Sequence, residues 1–316
     1  MKKEAVILLN MGGPNNLEEV EVFLRNMFND KNILTMKSDL LRSFVGGMIT
    51  FTRTESSQEI YRELGGKSPI VDHTKKLVEK LHKRLGENVI VDFVMRYTPP
   101  FASEVIEKLN KEDVDKIYLI PMYPQYSTTT TKSSLEDFEE VYHDKGGDAL
   151  LVEIKHYFEN EKYNRAVLEK IKESIGSDKY DDFDIIFSAH GLPQKIVDAG
   201  DVYEKHVNRH VAILKEMMEK EGMNFHEVHL AYQSKVGPMK WLEPSLEDKL
   251  KTVRNRGVII YPIAFTIDNS ETDFELDIEY REIAEELGFK EYRVAKCLND
   301  SDLFVDTLIE IYEKMK

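Results

Sequence analysis

Short apolar runs, each ending in a polar or glycine-containing turn and followed by an amphipathic stretch, recur along the whole chain. Runs at 4–10 and 257–265 are nearly continuous in apolar character, the pattern of strands covered on both faces rather than one, and runs at 89–95, 115–122, 150–154, 183–189 and 226–231 also read as strands. Between them, apolar residues return at helical spacing over 17–28, 36–64, 101–111, 160–175, 202–221, 245–254 and 301–315, with further helices ending near Leu85 and starting near Ser133. Alternation of strand and helix predicts an α/β protein whose parallel sheets carry helices on both faces. The plan runs twice. The expected organisation is an N-terminal Rossmann-like domain over 1–148, a similar C-terminal one over 149–299, and a closing helix over 300–316.

Composition narrows the function. The 316 residues are 41% hydrophobic and 32% charged, enough for two full cores. No run of 18 apolar residues occurs and no signal-peptide pattern precedes the first strand, so a cytoplasmic protein is expected. A net charge of −15 disfavours nucleic acid as a partner and favours cations. Cys297 is the single cysteine. It excludes internal disulfides and cannot hold an iron–sulfur cluster, which takes four thiolates, so a metal would rely on His, carboxylate or Met. No GxGxxG follows the first strand, and Gly65-Gly-Lys-Ser-Pro69 lacks the spacing of a phosphate loop, so nothing supports a nucleotide.

The unusual residues cluster at the carboxyl ends of the expected strands: Asn10-Met11, Arg96-Tyr97, Tyr126-Ser127, His190, Tyr232 and Asp268 to Glu271. Ligands of open α/β sheets bind there, so a single cleft between the two halves is expected. After the last long strand, Glu271, Glu275 and Glu279 recur every four residues. On an α-helix they form a ladder of like charge, about 6 and 12 Å along the axis, spaced to pass a cation from turn to turn. The alternative is structural: Asp268-x-x-Glu271 has the form of a capping box, and acidic residues suit a first helical turn. His190 facing Glu271 would pair an imidazole with a carboxylate, groups that accept protons or ligate a divalent metal. The apolar positions Leu40, Leu41, Phe44, Val45, Met48 and Ile49 read either as a core helix or as an exposed lip beside a pocket, with peripheral contact to the inner face of a membrane.

Phe187-Ser188-Ala189-His190-Gly191-Leu192-Pro193 followed by Gly200-Asp201-Val202-Tyr203 resembles the signature of the ferrochelatases. Asn10-Met-Gly-Gly-Pro14, Gly65-Gly-Lys-Ser-Pro69, Met95-Arg-Tyr97, Tyr123-Pro-Gln-Tyr126-Ser127, Tyr232-Gln-Ser-Lys-Val-Gly-Pro-Met239 and Asp268-x-x-Glu271-Thr272 are similar to that family's other blocks, in the same order. The resemblance implies two similar Rossmann-like domains with the final helix packing back on the first, and a lyase of haem biosynthesis that inserts Fe2+, its substrate, into protoporphyrin IX. It implies His190 and Glu271 as catalytic residues and metal ligands, with Glu275 and Glu279 as a metal path. It places Met11, Arg53, Ser68, Arg96, Tyr97, Tyr126, Ser127 and Trp241 around the porphyrin, Arg53 and Ser68 toward its propionates. The chain departs from the family in having Asn269 where a histidine is common, a single arginine in Thr52-Arg53, and no cluster cysteines. Alternatives are a coproporphyrin ferrochelatase, which tends to have Tyr at the Met11 position and to lack the Tyr-Pro-Gln-Tyr-Ser block, a cobalt or nickel chelatase, and a non-catalytic haem or metal carrier on the same scaffold.

Overall fold

The computed structural model describes residues 3–235, 237, 239–253 and 257–316. The chain forms two compact units, Met1–His156 together with Val305–Lys316, and Tyr157–Phe304. In the first unit, strands β1 (Lys3–Asn10), β2 (Val89–Met95), β3 (Val114–Pro121) and β4 (Leu150–Glu153) form a parallel sheet in the order β2-β1-β3-β4. In the second, β5 (Phe183–His190), β6 (Val228–Gln233), β7 (Gly257–Pro262) and β8 (Tyr292–Val294) form a parallel sheet in the equivalent order, β6-β5-β7-β8.

The unbroken apolar runs mean what their pattern suggests. Ala5, Ile7 and Leu9 of β1 pack against helices Ala102–Leu109 and Ser133–Asp144, while Val6 and Leu8 on the opposite face are also fully buried. Ile186, Val258 and Ile260 likewise meet Leu246, Leu250 and Leu276 on one face, and Ile185, Phe187 and Ile259 are buried on the other. Both sheets are therefore sandwiched between helices.

The division of the chain differs from the expected one after residue 148. Residues 150–153 pair with β3, so β4 completes the first sheet and the unit runs on to His156. β8, only three residues long, was not anticipated. The last helix, Asp302–Met315, carries Tyr312, whose ring meets Tyr118 edge-on at 5.0 Å and whose hydroxyl donates to Glu4; Asp306 pairs with Arg84.

Helix Asp39–Glu63 is one continuous element. Gly46 lets it approach helix Glu19–Asn29 closely: a Cβ there would stand 2.8 Å from the Phe28 carbonyl oxygen. Its far side is bare, with Leu40 at 84%, Phe44 at 70% and Phe51 at 87% exposure; Leu41 and Met48 are also exposed, and Val45 and Ile49 half-buried. The core-helix alternative therefore fails for this face. Among the described residues no helix is long and apolar enough to cross a membrane.

Candidate functional site

With the order β2-β1-β3-β4, the chain leaves the central pair of strands in opposite directions, the switch point outside whose carboxyl ends open α/β sheets bind ligands. In the second unit that pair is β5 and β7. His190 is the last residue of β5, and the segment after β7 leads into the helical turn at Glu271. The two meet: Nδ1 of His190 lies 2.7 Å from Oε2 of Glu271. The backbone under His190 is fixed from two sides. The Tyr203 hydroxyl donates to the His190 carbonyl at 3.0 Å, with the Tyr203 N–H itself donating to Asp201 at 2.8 Å. On the other side the Gly191 N–H donates to the Gln233 carbonyl, which a Cβ on Gly191 would approach to 2.8 Å. Gly191 is thus required by close approach.

Glu271–Glu279 is a π-helix, not the α-helix assumed for the ladder: the Tyr280 N–H bonds the Glu275 carbonyl, five residues back. Turns of this kind are rare and occur frequently at functional sites. The α-helical rise behind the 6 and 12 Å spacing does not hold here. The capping box is also made differently. Asn269 accepts from the Glu271 N–H at 2.8 Å and donates its own N–H to Thr272 Oγ1 at 2.9 Å and its Nδ2 to the Ile267 carbonyl. Asp268 turns away to accept from the Cys297 N–H and Asn299 Nδ2. Asn269 is buried with its amide committed to this turn, so it acts as a cap.

The ladder is graded in its surroundings. The Glu275 carboxylate accepts from the Ser234 N–H at 2.8 Å and the Ser234 hydroxyl at 2.6 Å. That hydroxyl also lies 3.2 Å from Glu271, and Gln233 Nε2 lies 3.3 Å from both carboxylates. Glu279 is exposed. Gln233 and Ser234 were not singled out as site residues, because neither ionises; only their place in the 232–239 stretch marked them. Val236 and Pro238 of that stretch lie outside the described residues. Among the described residues, no three of His, Cys, Asp and Glu are grouped to hold a metal.

Electrostatics separate His190 from other histidines. Burial alone works against an imidazolium, and it takes His210, wholly enclosed beside Asn164, down to about 3. His190 is half-buried, and there the penalty of burial is outweighed by the charge and hydrogen bond of Glu271, with Glu275 behind it, so its pKa rises to about 9. Against its own burial, Glu271 is held below the usual carboxylate range by His190, Ser234 and Gln233. Glu275 is pushed up to about 7 by burial and by the neighbouring Glu271 charge, which its Ser234 bonds oppose. At neutral pH the resting pair is an imidazolium donating to a carboxylate. A divalent cation would have to displace that proton, and the imidazole must lose it before accepting another.

In the first unit, β3 is followed by a second π-helix, Thr128–Lys132, capped by Ser127, whose hydroxyl accepts from the Thr129 N–H at 3.2 Å. Tyr126 before it is half-buried. Met11, half-buried at the end of β1, accepts the Tyr97 N–H on its carbonyl. Ser68 is buried against Gly13, its N–H donating to the Pro14 carbonyl. Arg53 is exposed, and among the described residues its guanidinium has no ion-pair partner.

Arg96 and Tyr97 are engaged inside the protein instead. Arg96 pairs with Asp137 at 3.0 Å and Asp30 at 3.4 Å and donates to Ser133. Tyr97 is 3% exposed and donates its hydroxyl to Asp30 at 2.8 Å. In the second unit Trp241, half-buried, bridges Pro193 and lies over Gly191, beside the His190 loop.

A family model described as Ferrochelatase matches residues 3–316. The chain is 69% identical over its full length to a ferrochelatase of Sulfurimonas denitrificans, covering all of both chains. It is 52% identical to a ferrochelatase of a Nitratiruptor species, covering 99% of this chain and all of the other. Among solved structures it resembles SirB from Bacillus subtilis with Fe3+, at a TM-score of 0.60 and 12% identity over 99% of this chain and 95% of that one. The sirohydrochlorin chelatase SirB from Bacillus subtilis subspecies spizizenii in complex with cobalt gives a TM-score of 0.59 at 9% identity, with the same coverage. These two likenesses are of fold.

Proposed function

The chain belongs to the ferrochelatase family, the metal-chelating lyases of haem biosynthesis, and from this premise we propose that it inserts ferrous iron into protoporphyrin IX with release of two protons. The observation that carries the assignment of the chemistry is the His190–Glu271 pair, 2.7 Å apart at the carboxyl ends of the second sheet's central strands. Metallation requires a group to accept pyrrole protons and donors to replace the water around iron, with no redox step and no nucleophile. His190, once its resting proton has left, is the proton acceptor, and Glu271 opposite it is the carboxylate donor to the metal. Glu275 and the exposed Glu279 lead iron toward that pair.

Met11, Arg53, Ser68, Tyr126, Ser127 and Trp241 are assigned to the porphyrin. Arg53 is suited to a propionate because its guanidinium is free to bind a carboxylate bidentately. Arg96 and Tyr97, already bound to Asp30 and Asp137, support the site by holding the turn after β2 rather than by binding substrate. The bare face of helix Asp39–Glu63 is assigned to a lip at the porphyrin entrance and to peripheral membrane contact. Flotation with anionic vesicles tests the latter, and protein that stays at the bottom of the gradient removes it.

Protoporphyrin rather than coproporphyrin is supported by Met11 and by the Tyr123-Pro-Gln-Tyr126-Ser127 stretch. The deciding experiment is steady-state iron insertion measured anaerobically with the two porphyrins side by side. We expect a higher kcat/KM for protoporphyrin, and a preference for coproporphyrin would refute the reading.

A further inference from the structure

Ser234 has a backbone that serine seldom adopts. Its φ is 64°, and among the described residues the only other non-glycine at positive φ is Asn299. Both grip an acidic residue of the 268–275 segment: Asn299 exchanges two hydrogen bonds with Asp268, and Ser234 holds Glu275. Asparagine is enriched in the left-handed region, whereas serine has no such advantage, and strain of this kind clusters at functional sites. What the conformation achieves is geometric. It turns the Ser234 N–H and hydroxyl to the same side at the end of β6, so that they reach the two oxygens of one carboxylate, with Gln233 Nε2 beside them.

Glu271 and Glu275 both stand within 3.3 Å of Gln233 Nε2 and 3.2 Å of the Ser234 hydroxyl. Two carboxylates this close repel, and the donors they share oppose that repulsion. Gln233 is itself held, its Oε1 accepting from Ser188 at 2.7 Å, and it is 1% exposed. The remaining adjustable donor is Ser234. Resting on the iron-insertion reading above, we propose that Ser234 is a positioning residue that holds the Glu275 carboxylate beside Glu271, so that arriving iron meets both carboxylates together. The Ser234 hydroxyl lies nearer Glu275, at 2.6 Å, than Glu271, at 3.2 Å, while Glu271 makes its shortest contact with His190.

Three variants separate the hydroxyl from the backbone strain. Ser234→Ala removes the hydroxyl and keeps the strain; Ser234→Gly removes both; Ser234→Asn supplies an amide donor on a residue at ease in this conformation. We expect Ala and Gly each to raise the KM for Fe2+ by about tenfold, the effect of losing one hydrogen bond to a charged group. kcat and the KM for protoporphyrin should stay within about twofold, and Asn should recover most of the loss. A glycine variant with the wild-type KM for iron overturns the proposal, as does an equal rise in both KM values, which would mark general disruption. Zinc titration by calorimetry needs no porphyrin. Wild-type protein that makes no protohaem refutes the functional reading alone, whereas equal zinc affinity in wild type and Ser234→Ala refutes the positioning role.

Discussion

Replacing Glu271 by Gln should release the proton that the resting site holds on His190. The neutral amide keeps the size and some of the hydrogen bonding but removes the charge that outweighs burial and lifts His190 from 6.5 to about 9. At pH 7 a group titrating at 9 is neutral in about one molecule in a hundred, and one titrating at 6.5 in about three quarters. The His190 side chain is 38% exposed, so solvent screening will shrink the shift, and the measured difference between wild type and variant should be at least about one unit. Histidine ring NMR reads it directly, and the acid limb of the residual turnover should move to lower pH with it. The raised pKa also stabilises the fold. That stabilisation is complete below about 6.5 and is lost as pH rises through about 9, while Glu271, held below 4.5, stays ionised throughout. The melting advantage of wild type over the variant, about 1 kcal/mol after allowance for exposure, should therefore shrink across that window. A His190 that titrates within about half a unit of 6.5 in wild type, or at the same pH in both proteins, would refute the reasoning.

Other substitutions test other assignments. Arg53→Ala should raise the KM for protoporphyrin with little change in kcat, because a propionate contact is made equally in ground and transition states; an unchanged KM with a large kcat defect would contradict it. Arg96→Ala should destabilise the protein by about 1–2 kcal/mol, since the buried Asp30 carboxylate loses a cationic partner but keeps the Tyr97 and Ser133 hydroxyls, and a melt within a degree of wild type would show the ion pair to be dispensable. Glu279→Gln should raise the KM for iron without lowering kcat if the exposed carboxylate feeds the site, whereas a solvated surface charge would leave metal kinetics alone.

The sheets were legible because strands covered on both faces must be apolar without alternation, and β1, β5 and β7 are. Partnership was less so. Four residues at 150–153 read as a strand, but only the bonds to β3 place them in the first sheet, and the three residues of β8 leave too short a pattern. The π-helix was illegible because the same residues suit either helix, and hydrogen bonding five residues back leaves no compositional trace. Asp268-x-x-Glu271 fits a capping box, but Asn299, 31 residues further on, draws Asp268 away and Asn269 takes the cap. The partners of Arg96 and Tyr97 were not legible, because Asp30 and Asp137 are remote from them in sequence. That His190 and Glu271 would meet was legible because each ends or follows a strand at the point where the order reverses, where half-buried side chains are backed by the sheet.

The central claim is that iron enters protoporphyrin at the His190–Glu271 pair, and it is tested most directly by protohaem formation in wild type and His190→Ala. Both proteins are assayed anaerobically at saturating iron and protoporphyrin, with circular-dichroism melts run in parallel to establish that the variant is folded. The account predicts turnover by wild type and a loss of about 10²- to 10⁴-fold in the variant, the usual effect of removing a general base, at a melting temperature that shows it folded. A folded variant that keeps more than about a tenth of wild-type turnover would contradict it.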